Sequence, residues 1–507
     1  MRPLRYTVLV LLGTGVPAAW LLATDHVARS VGCLALGLLA TLLLGFGWAL
    51  RRRGRRRMRL ALLVLGGILF IGAFRLLVRY EGSADGTALP RLAWRWQARP
   101  PAPDIPAFPE QQASDPGPPP AGMADMKRFL GPAGDAVLPA PTWRTDWASH
   151  PPREVWRRGV GPGWSGIVVA GRRAVTQEQH GAQEWVTCYD AATGEPLWRF
   201  ADSARFSEPL GGEGPRATPA IDEAGQRVFA CGATGRLHCL DLSSGRQIWS
   251  RDILAETGSD NLTYGKSSSP LLHDGRVIVT GGAGGPVLLA YAQVDGHPLW
   301  QSGDESSSYS TPALRRLAGR DQIVSVNGGS VTGHDPATGH RLWRHPWPGE
   351  YPRAGQPAPA GTNRLLVTAS YGQKSRLLEI HADGDGLACR ELWVSSVPRT
   401  KFSSATVRGD RAWALDEGTL VAVDLRDGER LWRRGHHGYG QHLQLGELLL
   451  IQAEAGHVEL IRPGEDGPES LGSLAALASK TWNPPCLAGR WLLVRNDREM
   501  VCYELAQ

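Results

Sequence analysis

Residues 188–198 read CYDAATGEPLW, and the pattern returns as CLDLSSGRQIW at 239–249, AYAQVDGHPLW at 290–300, GHDPATGHRLW at 333–343 and AVDLRDGERLW at 422–432. A glycine precedes a tryptophan by four positions each time: Gly194 and Trp198, Gly245 and Trp249, Gly296 and Trp300, Gly339 and Trp343, Gly428 and Trp432. The tryptophans recur at roughly 40 to 50 residues or a multiple of it, the period of stacked supersecondary units. Val186, Thr187 and Tyr189 are strand formers that stop at Asp190, whose short carboxylate can cap the following turn. Asp241, Asp335 and Asp424 hold the same position. Gly194 supplies the positive φ of a tight reversal. The strand that restarts through Pro196 to Trp198 must be an outer one, because proline cannot donate to a central ladder.

A second recurring piece lies upstream: Ala217-Thr218-Pro219, Ser268-Ser269-Pro270, Ser310-Thr311-Pro312, Gln356-Pro357-Ala358 and Ser403-Ser404-Ala405. Each precedes a short β-rich run, such as Arg227 to Ala230 or Arg276 to Val279. The unit is thus a four-stranded antiparallel meander with an indole filling the gap to its neighbour, and the fold class is an all-β propeller. Three degenerate units complete the ring. Leu378 to Trp393 carries a DGDG turn at 383–386, another unit runs from Gly446 through Glu459, and the last has three strands, near 486–488, 491–494 and 500–503. A strand around Trp156 supplies the missing outer strand, giving eight blades; seven is the alternative count, since the last two units lack the Gly-to-Trp signature.

These residues carry a resemblance. The Asp, Gly, Trp motif resembles the tryptophan-docking repeat of pyrroloquinoline-quinone (PQQ)-type propellers, a group that includes PQQ-dependent dehydrogenases and non-catalytic BamB-type assembly factors. Phe129-Leu130-Gly131-Pro132 with Asp135, Gly214 to Pro219 and Tyr264 to Pro270 look most like the BamB-like proteins. The resemblance spans about residues 126–507. It implies fold more firmly than activity, because the same blades serve enzymes and scaffolds.

The first 80 residues differ in kind. Segments 6–23, 31–50 and 60–78 are nearly free of charge and have the length of membrane-crossing helices. The arginine-rich RRRGRRRMR at 51–59 is expected on the cytoplasmic side, which places everything after Tyr80 outside. The expected arrangement is a multi-pass bacterial inner-membrane anchor over residues 1–80 with the propeller, residues 126–507, in the periplasm. A cleaved signal peptide is the alternative for the first segment. A lipoprotein anchor would need a cysteine after a short leader, and Cys33 reads as a small residue within an apolar helix. Residues 81–125 hold Pro100-Pro101, Pro103, Pro106, Pro109 and Pro118-Pro119-Pro120, and are expected to be an extended spacer.

Residues 1–80 contain twelve arginines and one aspartate, leaving 43 basic against 48 acidic residues beyond them. The exported part is mildly acidic, which argues against nucleic acid as a partner. Seven cysteines are too few for a disulfide scaffold. Cys188, Cys239 and Cys502 occupy equivalent strand positions and read as small core residues. A Cys231–Cys239 disulfide across the turn at 232–235 is the alternative. CxxC, HExxH and CxxCH motifs are all absent, and no metal site is expected.

The loops joining one unit to the next gather at one mouth of the central channel. They carry Trp164, Arg216, Tyr264, Lys266, Tyr309, Arg353, Lys401, His436, His437, Tyr439, His442, Trp482 and Asn483. Aromatic rings beside cations suit a planar anion, and PQQ is one. The resemblance implies more for an enzyme: an adjacent cysteine pair, a Ca²⁺ cage of carboxylate and amide oxygens, and an aspartate base. The chain has no Cys-Cys, and Asp260, Asn261, Asp304 and Glu305 sit in no version of those motifs. The expected function is a non-catalytic scaffold that binds envelope proteins or a small ligand, with no cofactor. Two alternatives remain: a PQQ- and Ca²⁺-dependent dehydrogenase of alcohols or sugars, and an envelope sensor for a small ligand.

Overall fold

A computed structural model describes residues 56–507 apart from 88, 100, 110–112, 114 and 350. The chain divides into Met1–Pro101 with Pro209–Gly211, and Ala102–Glu208 with Gly212–Gln507.

In the first unit a helix, Arg56–Leu77, leads into a hairpin of Val78–Ser83 and Pro90–Trp94, beyond which Trp94 and Trp96 stack at 4.9 Å. The expectation of three membrane spans is not met by this description. Segments 6–23 and 31–50 lie outside the described residues. The third begins earlier than expected, inside the arginine cluster, and ends at Leu77. Side chains at several of its positions are not described, and among the described residues no helix is long and apolar enough to cross a membrane.

The second unit is a ring of eight antiparallel sheets among the described residues. Seven follow chain order: blade 1 from Val168–Ala170 to Pro196–Asp202, blade 2 from Ala220–Asp222 to Gln247–Asp252, blade 3 from Leu271–His273 to Pro298–Ser302, and blade 4 from Ala313–Leu317 to Arg341–Pro346. Blade 5 runs from Ala358–Pro359 to Gly386–Ser395, blade 6 from Thr406–Arg408 to Arg430–His436, and blade 7 from Gln441–Leu445 to Pro468–Ala475. Blade 8 takes three strands from the C-terminus, Cys486–Ala488, Trp491–Arg495 and Glu499–Glu504, and its outer strand, Arg153–Gly159, from upstream of blade 1. The ring therefore closes through pairing of the two ends of the propeller sequence, with Trp156 opposite Cys502.

The Gly-to-Trp spacing has a packing cause. Each indole stands opposite a small residue on the third strand: Cys188 for Trp198, Cys239 for Trp249, Ala290 for Trp300, Gly333 for Trp343 and Ala422 for Trp432. Immediately beyond the indole the ladder slips register in seven blades, and it does so at the equivalent place in blade 7, which has no indole; this bulge bends the outer strand and re-aims its side chain. The indole then lies on the turn glycine of the next blade: Trp156 on Gly194, Trp198 on Gly245, Trp249 on Gly296, Trp300 on Gly339 and Trp393 on Gly428. A Cβ at any of these glycines would lie within 3 Å of ring atoms, so a positive φ and a close approach demand glycine together. The indole N–H of Trp198 donates to Leu242 O at 2.9 Å, and that of Trp393 to Leu425 O at 2.8 Å. Trp343 differs. Blade 5 offers no matching glycine turn, and this indole donates to Gln322 Oε1 of its own blade at 2.6 Å.

Asp190, Asp241, Asp335 and Asp424 accept from backbone N–H groups two or three residues on. They are turn caps. The cysteines within the described residues are free thiols. Cys231 pairs with Leu237 and Cys239 with Phe229, so the alternative disulfide is excluded by register.

Residues beyond Ala102 do not form a free spacer. Phe108 packs edge-on against Tyr189 at 5.3 Å. Residues 123–138 then cross the end of the channel opposite the mouth: Met123 bridges Gly489, Met126 bridges Val169, Lys127 O accepts from Ile221 N, and Val137–Leu138 adds a parallel strand to Gln441–Leu445. Arg315 on the inner strand of blade 4 donates to Ala133 O at 2.7 Å. Leu130 and Ala136 are buried. The stretch FLGP at 129–132 is thus part of a plug.

Candidate functional site: an aromatic mouth above a plugged channel

The strand-to-strand loops between blades meet at the open end. Their first job is to hold the ring together. Gly166 N donates to Thr218 Oγ1 (3.0 Å), Thr218 N to Ser269 Oγ (2.9 Å), Ser269 N to Thr311 Oγ1 (2.9 Å), and Gln356 N to Ser404 Oγ (3.1 Å). The Gln356 amide, turned with nitrogen toward Thr311 O and oxygen toward Thr311 N, adds a link at 2.9 and 3.0 Å, and Gln441 Nε2 donates to Phe402 O and Trp482 O on either side of blade 7. Asn483 closes the circle by donating to Gly163 O and Ser165 O. The recurring Ser/Thr-Pro pieces are a relay between blades, which satisfies backbone groups that no ladder reaches.

Above this relay every one of the eight joining loops presents an aromatic side chain: Trp164, Phe206, Tyr264, Tyr309, Tyr351, Phe402, Tyr439 and Trp482. Four of them touch in series. Trp164 lies 4.7 Å from Trp482, Trp482 5.1 Å from Phe402, and Phe402 6.0 Å from Tyr439. Lys401 Nζ sits 4.3 Å from the Tyr439 ring and 5.3 Å from that of Tyr371, which stacks on Tyr351 at 5.5 Å. Tyr264 and Tyr309 pair at 5.7 Å. Tyr351 and Tyr371 are the most open, 56% and 40% exposed.

The charged groups are engaged by their neighbours. Glu417 accepts from Tyr439 Oη at 2.7 Å, binds Ser370 Oγ, and faces Lys401 at 3.7 Å. Glu454 accepts from Trp482 Nε1 at 2.6 Å and from Tyr439 N at 3.1 Å. Lys480 lies 4.0 Å over Trp482. Arg216 stacks 4.8 Å over Phe206 and donates to Gly214 O and Gly212 O; burial pulls its pKa down to about 10, opposed by Glu208 and Glu184. Burial lifts Glu184 to about 7, with Asp202 adding repulsion against the Ala233 N–H that it accepts. Its charge therefore varies across the neutral range.

Four residues expected at the mouth have other tasks. Lys266 is 1% exposed, and its ammonium is spent on Thr280 O, Thr280 Oγ1 and Gly281 O at 2.5 to 2.7 Å; burial lowers its pKa to about 8. Arg353 is fully buried, donating to Asn327 O, Gly328 O, Trp347 O and Gln373 Oε1, and so ties blade 4 to blade 5. His442 lies on the inner strand of blade 7 against Thr406 Oγ1, held near pKa 4 by burial. Asn483 belongs to the relay. His436 is exposed, and His437 is buried beside Glu459. Phe206, Tyr351, Tyr371 and Phe402 were not singled out from sequence. For Phe206, Tyr351 and Phe402 the signal is one aromatic per joining loop; Tyr371 lies on a loop within blade 5.

Asn261, Glu305 and Asp304, the amide and acidic candidates described, do not converge into an oxygen cage for Ca²⁺. Asn261 is turned to Ala233 O, Glu305 to Gly329 N and Ser330 Oγ, and Asp304 is exposed. Among the described residues the group of His, Cys, Asp and Glu side chains close enough to share a metal is His437, His457 and Glu459, which is not an oxygen cage. The cysteines among the described residues all lie on blade strands.

An eight-bladed ring with indole-docked repeats and an aromatic mouth defines a propeller of the PQQ-like repeat class. The chain belongs to the family described as "Outer membrane protein assembly factor BamB", whose model matches residues 182–434 and 327–464. It is 23% identical over 313 residues to the outer membrane protein assembly factor BamB of Shewanella oneidensis, covering 58% of this chain and 74% of that protein. It is 28% identical over 157 residues to quinohemoprotein alcohol dehydrogenase ADH IIB of Pseudomonas putida, covering 29% of this chain and 22% of that one. Among solved structures, BamB of Moraxella catarrhalis aligns with a TM-score of 0.51 at 16% identity, over 70% of this chain and 98% of the other. Quinohemoprotein alcohol dehydrogenase of Comamonas testosteroni aligns with a TM-score of 0.55 at 12% identity, over 76% and 81%. These two likenesses show the shared fold alone.

Proposed function

We propose that this propeller is a non-catalytic docking scaffold for proteins of the bacterial cell envelope, with its mouth as the contact surface. One observation carries the reading: all eight joining loops deliver an aromatic ring while the cations and carboxylates among them are engaged by neighbours. Rings of this kind bury large area at small entropic cost and form the energetic centre of protein interfaces. A catalytic site needs the reverse, polar groups poised toward a substrate. The plug at 123–138 turns the channel into a shallow cup, suited to a loop or peptide and not to a threaded chain. Membership of the assembly-factor family agrees with this reading.

The scaffold is held at the inner membrane, facing the periplasm, in this proposal. Val64, Leu65, Ile68, Leu69, Ile71 and Leu76 are exposed on Arg56–Leu77, and an apolar helix so exposed in water is unfavourable. The arginines at 51–59 favour a cytoplasmic start.

The fold shared with quinohemoprotein dehydrogenases makes oxidation the competing reading. Adding PQQ and Ca²⁺ to the purified chain, with absorbance and dye-linked oxidation of alcohols and sugars as readouts, separates the two. The expected result is no stoichiometric cofactor spectrum and no turnover; turnover would replace the scaffold with an enzyme.

A further inference from the structure

The passage from blade 6 into blade 7 holds a cluster that docking does not use. His437 follows the outer strand Arg430–His436. His457 and Glu459 stand two residues apart at the start of His457–Pro463, hence on one face of that strand. One ring nitrogen from each histidine and one Glu459 oxygen all lie within 4.8 Å of one another. His437 is 6% exposed, and its Nδ1, which faces Glu459 Oε2 at 3.6 Å, makes no hydrogen bond. A buried ring nitrogen in that state needs a partner.

We propose that His437, His457 and Glu459 form a Zn²⁺ site joining blade 6 to blade 7. Two imidazole nitrogens and one carboxylate suit a borderline ion such as Zn²⁺, whereas Ca²⁺ and Mg²⁺ demand oxygen. Around tetrahedral zinc, with bonds near 2.0 Å, donor atoms lie roughly 3.3 Å apart. The His437–Glu459 pair is already close to that spacing. His457 is only partly buried, and its ring nitrogen, within 4.8 Å of the other two donors, reaches that spacing by a side-chain rotation that moves it by about 1.5 Å or less.

The surroundings are built to hold the donors. Ser470 Oγ donates to the other Glu459 oxygen at 2.6 Å, the outer support that orients a ligating carboxylate. His437 is fixed by its own N–H to Gly418 O and by Glu454 N to its carbonyl, both at 2.8 Å. Three protein ligands leave a fourth position for water or for a donor from a bound protein. Glu454 also anchors Trp482 and Tyr439, so the metal would stiffen that arc of the mouth.

The test uses the full chain stripped with a chelator and titrated with Co²⁺, whose visible spectrum reports low-coordinate geometry. One equivalent of tetrahedral-type spectrum, displaced by Zn²⁺, is expected. His457→Gln and Glu459→Gln, at partly exposed positions, should each weaken binding by roughly 100-fold while retaining the metal-free melting temperature. Zn²⁺ should raise the melting temperature of the native chain and leave that of the variants unchanged. Absence of the spectrum, or binding unaltered by both substitutions, overturns the site and leaves His437 and Glu459 as an ordinary buried pair.

Discussion

Trp198→Ala is expected to cost the propeller about 3–5 kcal/mol, a large share of a domain's net stability. Trp198 is fully buried in the seam between blades 1 and 2. Removing the indole leaves a cavity against Cys188, Ile221 and Leu240, and orphans the carbonyl of Leu242. Neither blade can collapse into that space, because the relay from Gly166 to Thr218 and the neighbouring seams hold the blades apart. Gly245→Ala attacks the same contact from the other side, since its methyl would press into the Trp198 ring at a positive φ. The two losses should be far from additive, as the residues share one contact. Urea unfolding of both single variants and the double variant measures this; a Trp198→Ala loss below about 1 kcal/mol would show that the indole is not a staple.

Deleting Arg153–Gly159 should have the larger effect, loss of a single cooperative unfolding transition. That strand is the outer edge of blade 8, drawn from the segment that leads into blade 1. Its removal uncovers the polar edge of Glu499–Glu504, takes Trp156 off Gly194, and breaks the ion pairs of Arg157 with Glu499 and of Arg153 with Glu504. The exposed pairs contribute little. The open edge and the emptied seam matter more. Retention of a sharp transition with unchanged midpoint by circular dichroism would mean that the ring does not depend on this closure.

The blades are legible in the sequence because their cause is local. A capped turn, a glycine and an indole four residues on are adjacent in the chain, and Trp156 stood out as a strand without a unit. Blade 5 was harder: its DGDG turn places Gly384 in open space, and Trp343 therefore turns back on Gln322. The mouth was legible as a set of loops and not as a surface. Nothing adjacent to Lys266 or Arg353 reveals the oxygens that enclose them, which come from residues 14 and 15 positions away for Lys266 and 6 to 26 positions away for Arg353. The plug at 123–138 was hidden for the same reason, since its partners lie on five different blades. His437 lies 20 residues from His457, and only the fold brings them together.

The central claim is that the mouth, and not the opposite face, engages an envelope protein. Photo-reactive residues placed in living cells at Tyr351 and Tyr371, and as controls at Asp274 and Ala337 on the turn face, test it most directly. Docking at the mouth predicts one discrete crosslinked partner from the first two positions and none from the controls, abolished by Phe402→Ser with Trp482→Ser. Equal crosslinking from both faces, or none from the mouth in cells where the chain is folded and abundant, would contradict it.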